Sequence, residues 1–530
     1  MDNPTKNKAY LLPMLMAACV IFGLWLGTLF TSGDFTFSNV PIRGKYQKFQ
    51  DIIEILNENY VDSLNGDELF EAAISDMLHK LDPHSNYIPA KDLKAVNESI
   101  EGQFGGIGVR FFIIRDTICV TNVIPGSPSE TVGLKAGDKI IAVDGKKVTN
   151  KKITNEKVMK LLKGKEDTSV ALTISRKGKR ITKNLIRGII QIQSVSAAYM
   201  MTPTIGYLKI DEFSVTTGNE FKLAALKLKQ EGMKKLILDL RGNPGGVMQS
   251  AIEIADQFLQ KDALIVRVKG VHSGEQTYKA TSDGILQDTP LAILINSNSA
   301  SASEILAGAL QDNDRGTIVG RRSFGKGLVQ EDRRLRDGSN LRMTIARYYI
   351  ASGRCIQKPY SEGFDAYMQD QLNRYNDEEL FHVDKKYFVD SLKYKTVKGR
   401  TVYGSSGIMP DVFIALDTLG TSMYFTELRF SQAFNGFAFD YIQDKRQNWK
   451  SLDEFVTSFQ VDELLLNQFT QFAEKELKIK TDRVGLKTSK NLIKRTLKAE
   501  IARQIWLENG YFKITNTTDN EVQKALKIVQ

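Results

Sequence analysis

The sequence predicts a multidomain protein with an α/β core and helical regions at both ends, an α+β assembly overall. Three observations carry this. Two short apolar runs, K-L-I-L-D-L (Lys235 to Leu240) and L-A-I-L-I-N (Leu291 to Asn296), each give way to small or polar residues and then to a helical pattern, as buried strands feeding helices do. Apolar residues recur at helical spacing from Tyr46 to Leu81 and again through much of Leu419 to Gln530. The chain is also long enough, at 530 residues with 42% hydrophobic and 25% charged side chains, for several globular domains sharing a large core.

Taken in order, the chain first presents Tyr10 to Phe30, 21 uncharged and mostly apolar residues. That length suits one membrane-spanning helix. Lys6 and Lys8 precede it, which predicts a cytoplasmic N-terminus and a single-pass inner-membrane anchor, with the body in the periplasm or extracytoplasmic space. No small-x-small cleavage site follows, so a retained anchor is expected over a cleaved signal. Cys19 follows M-A-A, but the apolar run continues well past it, which argues against lipidation. The other cysteines, Cys119 and Cys355, fall in different predicted domains and make no disulfide framework. Four histidines without ligand spacing predict no metal site, and no cofactor is expected.

The turn D-P-H-S-N-Y (Asp82 to Tyr87) closes the first helical layer. His84 sits in it beside a proline, a setting that favours a structural role over a catalytic one. Further on, Lys146 to Arg187 holds 14 Lys or Arg against 3 Asp or Glu, more than the whole chain's net charge of +10. No nucleic-acid motif accompanies this segment, so a solvated face is expected and a nucleic-acid partner is not.

The chemistry concentrates in two later motifs. Ser301 lies in N-S-N-S-A-S-A-S-E-I (Asn296 to Ile305), at a strand-to-helix junction where unpaired N–H groups can face a developing oxyanion. Ser299 and Ser303 are the candidate helix caps there. Lys326 lies in F-G-K-G-L-V-Q (Phe324 to Gln330), among apolar neighbours that disfavour its charged form. A serine hydroxyl needs a neighbouring base, and a neutral lysine amine can be one. Gln330 is placed to hold that amine. Two competing readings fail. G-R-R-S-F-G-K (Gly320 to Lys326) lacks the hydroxyl residue of a phosphate loop, since Gly327 follows, and no helix opens there. A β-lactamase-type S-x-x-K is excluded because Glu304 stands three residues after Ser301.

The paired motifs closely resemble those of the C-terminal processing (tail-specific) serine peptidases, over about the first four-fifths of the chain. The resemblance implies a Clp protease/crotonase-like catalytic core. It assigns Ser301 as nucleophile, Lys326 as general base and Gln330 as the residue that orients the lysine. It places the oxyanion donors at the backbone N–H groups of Gly246, last of D-L-R-G-N-P-G-G (Asp239 to Gly246), and Ala302. Whether Asp239, Arg241 and Asn243 do more than brace that loop stays open. The segment from Gly105 (G-G-I-G-V-R-F) through V-I-P-G-S-P-S-E-T-V-G-L-K-A-G-D (Val123 to Asp138) resembles a PDZ domain. Its backbone N–H groups would capture a terminal carboxylate while the peptide adds a strand. Gly105, Gly106, Ile107, Gly108 and Val109 are the expected peptide-binding residues, with Val158 lining the side-chain pocket.

The expected organisation is an anchor or signal segment (1–33), a helical region (34–98), a PDZ-like domain (99–188), a catalytic domain (189–418) with a polar insertion at about 359–403, and a helical tail (419–530). The tail is open to three uses: packing on the core, which is the default, oligomer formation, or binding an adaptor. The expected activity is a serine endopeptidase that recognises the C-termini of exported proteins. The alternatives are a non-catalytic PDZ scaffold on an inactive protease frame, against which the intact Ser301, Lys326 and Gln330 argue, and a crotonase-type acyl enzyme.

Overall fold

The computed structural model describes residues 43–530 except 151, 384, 385 and 387, together with residues 16, 17 and 20. The expected membrane anchor is corrected here. Among the described residues no helix is long and apolar enough to cross a membrane, and Tyr10 to Phe30 lies, apart from 16, 17 and 20, outside the described residues. The chain divides between Ala73 and Ile74 into two compact units. The first contains α1 (Arg43–Asn59) and the start of α2 (Gly66–His79), with Asp67 and Glu68 favourably placed in the first turn of α2. The rings of Phe49 and Phe70 meet across them at a tilt of 49°, with centroids 6.3 Å apart.

The second unit opens with β1 (Asn86–Ile88), α3 (Ala90–Glu101) and β2 (Gln103–Gly106). A module built on one six-stranded sheet follows: β3 (Val109–Ile114), β4 (Thr117–Val123), β5 (Lys139–Val143), β6 (Lys146–Lys147), α4 (Asn155–Leu162), β7 (Ser169–Arg176) and β8 (Lys179–Ile186). Its sheet runs β3-β4-β5-β7-β8, which leaves β3 as an edge strand. In β7 the inward residues Val170, Leu172 and Ile174 alternate with more exposed ones, the period-two pattern of a strand with one buried face. The return strand β9 (Gly188–Gln191) pairs with β2 at the neck of this module.

The main sheet is built from β10 (Val195–Met200), β11 (Ile205–Ile210), β12 (Lys235–Asp239), β15 (Leu291–Ile295), β16 (Thr317–Gly320) and β21 (Val412–Phe413), in that spatial order. All neighbours are parallel except β10 and β11. Every residue of β15 is buried, because both faces of the sheet are covered. Leu236, Leu238, Ile293 and Ile295 face α5 (Thr217–Gln230), α6 (Met248–Asp256) and α7 (Ala302–Asp312). Ile237, Ala292 and Leu294 face the other way, onto Val522, Ala525 and Val529 of the last helix. A second sheet, β1-β18-β13-β14 with β17 paired to β18, uses β13 (Leu264–Gly270), β14 (Gly274–Lys279), β17 (Leu328–Arg334) and β18 (Asn340–Tyr349).

The 359–403 segment is more ordered than its polar composition suggests. It carries α8 (Phe364–Asn376) and a small hairpin of β19 (Lys393–Lys395) and β20 (Thr401–Tyr403). The tail is helical, with α9 (Met423–Phe430), α10 (Ala433–Ile442), α11 (Leu452–Ser458), α12 (Glu463–Leu477), α13 (Arg483–Thr515) and α14 (Asn520–Val529). Phe434, Phe437, Phe455 and Phe469 fill its own core. Non-helical backbone at Trp506 and Leu507 breaks α13, and its second half leads to α14 on the main sheet.

Candidate active site

Three parallel strands, β12, β15 and β16, end side by side, and the loops leaving them carry the predicted residues. The turn after β15 places Ser301 at φ 54° and ψ −114°. That backbone is strained for a residue with a Cβ, and such strain persists only where the surroundings enforce it. Ser301 is the N-cap residue of α7 and forms a capping-box arrangement with Glu304, whose carboxylate accepts from the Ser301 N–H at 2.9 Å. The neighbouring serines do not cap the helix: Ser299 Oγ accepts from the Asn296 N–H and donates to the Leu240 carbonyl, while Ser303 Oγ donates to the Asn243 carbonyl.

The loop after β12 is drawn against this turn. Asn243 binds the Ile210 carbonyl at 3.0 Å through its amide and accepts from the Gly245 N–H at 2.8 Å. Its own carbonyl accepts from the Ala300 N–H at 3.0 Å. Gly245 (φ 99°) approaches so closely that a Cβ there would lie 2.7 Å from Ser301 Cβ, and one on Gly246 (φ 137°) would lie 2.0 Å from the Phe213 carbonyl oxygen. Only glycine satisfies both the dihedrals and the space. Among the described residues neither the Gly246 nor the Ala302 N–H has a protein acceptor, so both donors remain unspent beside Ser301.

The loop after β16 supplies Lys326. Its Nζ donates to Gln330 Oε1 at 2.9 Å, and the Gln330 amide donates in turn to the His84 carbonyl. Burial and the nearby Arg342 guanidinium push the lysine down to about 8, so that an appreciable fraction is neutral near pH 7. Ser301, Lys326, Gln330 and Gly246 line one cavity of about 330 Å³, together with the apolar Ile305 and Val329. No hydrogen bond joins Ser301 to Lys326 in this structure. Such bonds commonly tighten only with substrate in place.

His84 is turned to other work. Its Nε2 pairs with the Tyr367 hydroxyl at 2.8 Å, and burial together with the Lys326 charge pushes it down to about 3. The turn that carries it is held by Asp82, which accepts from the N–H groups of His84 and Ser85 and from Thr344 of β18. Burial opposes ionisation of Asp82, but those hydrogen bonds outweigh it and keep the carboxyl below its usual range.

Several residues that hold the site together carried no clear sequence signal. The buried Glu304 carboxylate accepts from the Ser301 N–H at 2.9 Å, the Lys326 N–H at 2.8 Å, the Gly325 N–H at 2.7 Å and the Ser323 hydroxyl. One carboxylate thereby ties the Ser301 turn to the Lys326 loop, while burial pushes its own pKa up. The S-x-x-E spacing from Ser301 to Glu304 is a capping-box signature and was the available hint. The Tyr348 hydroxyl also reaches both loops, donating to the carbonyls of Ser301 and Lys326. Arg374 of α8 donates to the carbonyls of Ser323 at 2.8 Å and Phe324 at 3.0 Å, so the 359–403 segment braces the lysine loop. Asp239 is buried and binds Arg241 and the Tyr207 hydroxyl. Burial pushes its carboxyl up, but the Arg241 guanidinium beside it holds it well below the usual range.

In the β3–β8 module, Gly105 and Gly106 belong to β2 and pair with Ile189 and Gly188. Ile107 is buried, and Gly108 (φ 78°) turns the chain into Val109 at the start of β3. Among the described residues the Ile107 and Gly108 N–H groups have no protein acceptor, and β3 presents an open edge beside them. Val158 is wholly buried in the module's core, so no solvent-facing pocket opens at that side chain.

Sequence comparisons agree with this architecture. Residues 204–364 match peptidase family S41, 105–186 match a PDZ domain, 34–92 match the N-terminal domain of the activating protease CtpB, and 424–507 match a family of unknown function. The fold and site thus define an S41 peptidase core bearing a PDZ domain. A probable CtpA-like serine protease of Staphylococcus aureus (strain MRSA252) is 35% identical over 323 residues, 60% of this chain and 64% of that protein's length. One from Staphylococcus haemolyticus (strain JCSC1435) is 34% identical over 363 residues, 67% of this chain and 71% of the relative. The chain belongs to the CtpA-like serine protease family. A solved structure titled photosystem II D1 C-terminal processing protease is 25% identical, covering 70% of this chain and 93% of that one at a TM-score of 0.35.

Proposed function

We propose that this chain is a serine endopeptidase that engages protein C-termini and cuts with a Ser301–Lys326 dyad. The observation that carries the reading is the strained Ser301 sharing one cavity with a lysine whose amine is pushed down to about 8. Neutral Lys326 takes the Ser301 proton as the hydroxyl attacks the scissile carbonyl, then returns it to the leaving amine. The Gly246 and Ala302 N–H groups receive the oxyanion, at the start of α7 where the helix dipole adds to them. Gln330 fixes the lysine. The adjoining Ile305, Leu328, Val329 and Met248 suit an apolar side chain next to the scissile bond. No resident cofactor enters the scheme.

The PDZ domain supplies the choice of substrate. A free C-terminal carboxylate would take the unpaired N–H groups of Ile107 and Gly108, and the peptide would extend the sheet along β3. The test is to incubate the chain with a protein ending in a free apolar residue and with the same protein amidated, and to map cuts by mass spectrometry. Ser301-dependent cuts in the free acid support the reading. Cuts that persist undiminished in Ser301→Ala would reject it.

A further inference from the structure

The last helix reaches both catalytic loops at once. Arg241 lies just beyond the end of β12 and five residues before Gly246, and Arg321 lies just beyond the end of β16 and five before Lys326. The buried carboxylate of Glu521, in the first turn of α14, is ion-paired with both guanidinium groups. Asp519 accepts from Arg241 Nη1 at 2.9 Å and caps α14 through the Glu521 and Val522 N–H groups. The remaining edge of Arg241 is taken by Asp239, and Arg321 also donates to the Ile414 carbonyl at 3.2 Å. Glu521 therefore stands between the two loops that would supply an oxyanion donor and the general base. A buried carboxylate shared by two arginines fixes their separation strongly, because withdrawing it leaves two desolvated cations facing one another.

We propose that Glu521 is a positioning residue for the peptidase reaction, so that the C-terminal tail completes the active site rather than merely packing on it. This rests on the Ser301–Lys326 reading. The tail also touches the PDZ domain. Arg446 donates to the carbonyls of Gln504 and Thr121, and Asn122 donates to the same Gln504 carbonyl at 3.4 Å. Gln504 lies just before the break in α13 that leads toward α14. The tail is thus in continuous contact with the peptide-binding module at one end and with both catalytic loops at the other.

The experiment uses the full chain and a quenched fluorogenic peptide ending in a free apolar residue, with the parent, Glu521→Gln, Glu521→Asp, Arg321→Gln, the Glu521→Gln/Arg321→Gln pair, and Lys524→Ala on the exposed side of α14 as control. Small displacements of catalytic groups cost up to about a hundredfold in rate. Glu521→Gln should lower kcat by about ten- to a hundredfold with KM nearly unchanged, and Lys524→Ala should match the parent. The double variant should be no slower than the slower single, because both act through one contact. Should Glu521→Gln fail to fold, Glu521→Asp keeps the charge and must show the same loss confined to kcat. A parent-like kcat in the folded Glu521 variants, a change in KM alone, or losses that multiply in the double variant would overturn the inference. If the parent cleaves and Ser301→Ala cleaves equally, the dyad reading itself falls and takes this one with it.

Discussion

The catalytic loops and the PDZ domain are fastened in opposite ways. Around Ser301 and Lys326 the ties are buried and polar: Glu304 with four donors, Tyr348 across two carbonyls, and Arg374 on the lysine loop. Between the PDZ domain and the tail, exposed ion pairs, such as Arg115 with Asp440, whose side chains are 39% and 36% exposed, and Lys177 with Asp444, stand beside the part-buried hydrogen bonds of Arg446 to Thr121 and Asn122 to Gln504. A small apolar contact among Ile114, Cys119 and Phe439 joins them. Buried charged contacts cost several kcal/mol to break, exposed ones up to about 1 kcal/mol. The contacts around the cleft are therefore costlier to break than the exposed ion pairs that seat the PDZ domain on the tail.

The sharpest way to break this comparison is at Ser301, the proposed nucleophile. Ser301→Ala should lower cleavage by at least about a thousandfold. It should cost no more than about 1 kcal/mol of stability, the value of one helix N-cap, because the turn is also held through the Glu304 carboxylate. Full loss of fold would instead make Ser301 structural. Next in size is Glu304→Ala. It strands four donors in a buried site and should cost about 3–5 kcal/mol of stability, read from urea denaturation midpoints. A cost under about 1 kcal/mol would show that the loops hold without it.

Two smaller effects test the PDZ side. Amidating the substrate's C-terminus removes the charge expected at Ile107 and Gly108, and should weaken binding by about 1.5–3 kcal/mol in a titration of the peptide. Equal affinity for acid and amide would reject tail recognition while leaving the peptidase standing. Smallest of all, Arg115→Gln should change global stability by less than about 1 kcal/mol. A larger loss would mean that the PDZ domain is clamped rather than lightly seated.

Much of the site was legible because its parts sit in short contiguous motifs at the ends of neighbouring parallel strands. The apolar runs of β12 and β15 announce themselves, and the residues just after them, Gly246 and Ser301, fall together by topology. Gln330 was readable because it lies four residues from its lysine. Glu304 was harder, since its spacing advertises a helix cap and its partners Ser323, Gly325 and Lys326 lie in the next loop. Arg374 and Glu521 were out of reach. Their contacts span 51 residues to Ser323 and 280 to Arg241, and no local periodicity encodes them. Val158 was placed on the right helix, but whether a side chain in such a helix is open or filled depends on packing.

The most direct measurement is kcat/KM against pH for the parent and for Lys326→Arg. Burial holds the Lys326 amine at about 8 rather than its ordinary 10.5, and only the neutral amine can accept the Ser301 proton. Activity should therefore be full above about pH 8 and fall roughly tenfold per unit as pH drops below it, while Lys326→Arg stays inactive throughout because a guanidinium does not deprotonate in this range. Substantial cleavage by Lys326→Arg, or a parent profile flat from pH 6 to 9, would contradict the dyad.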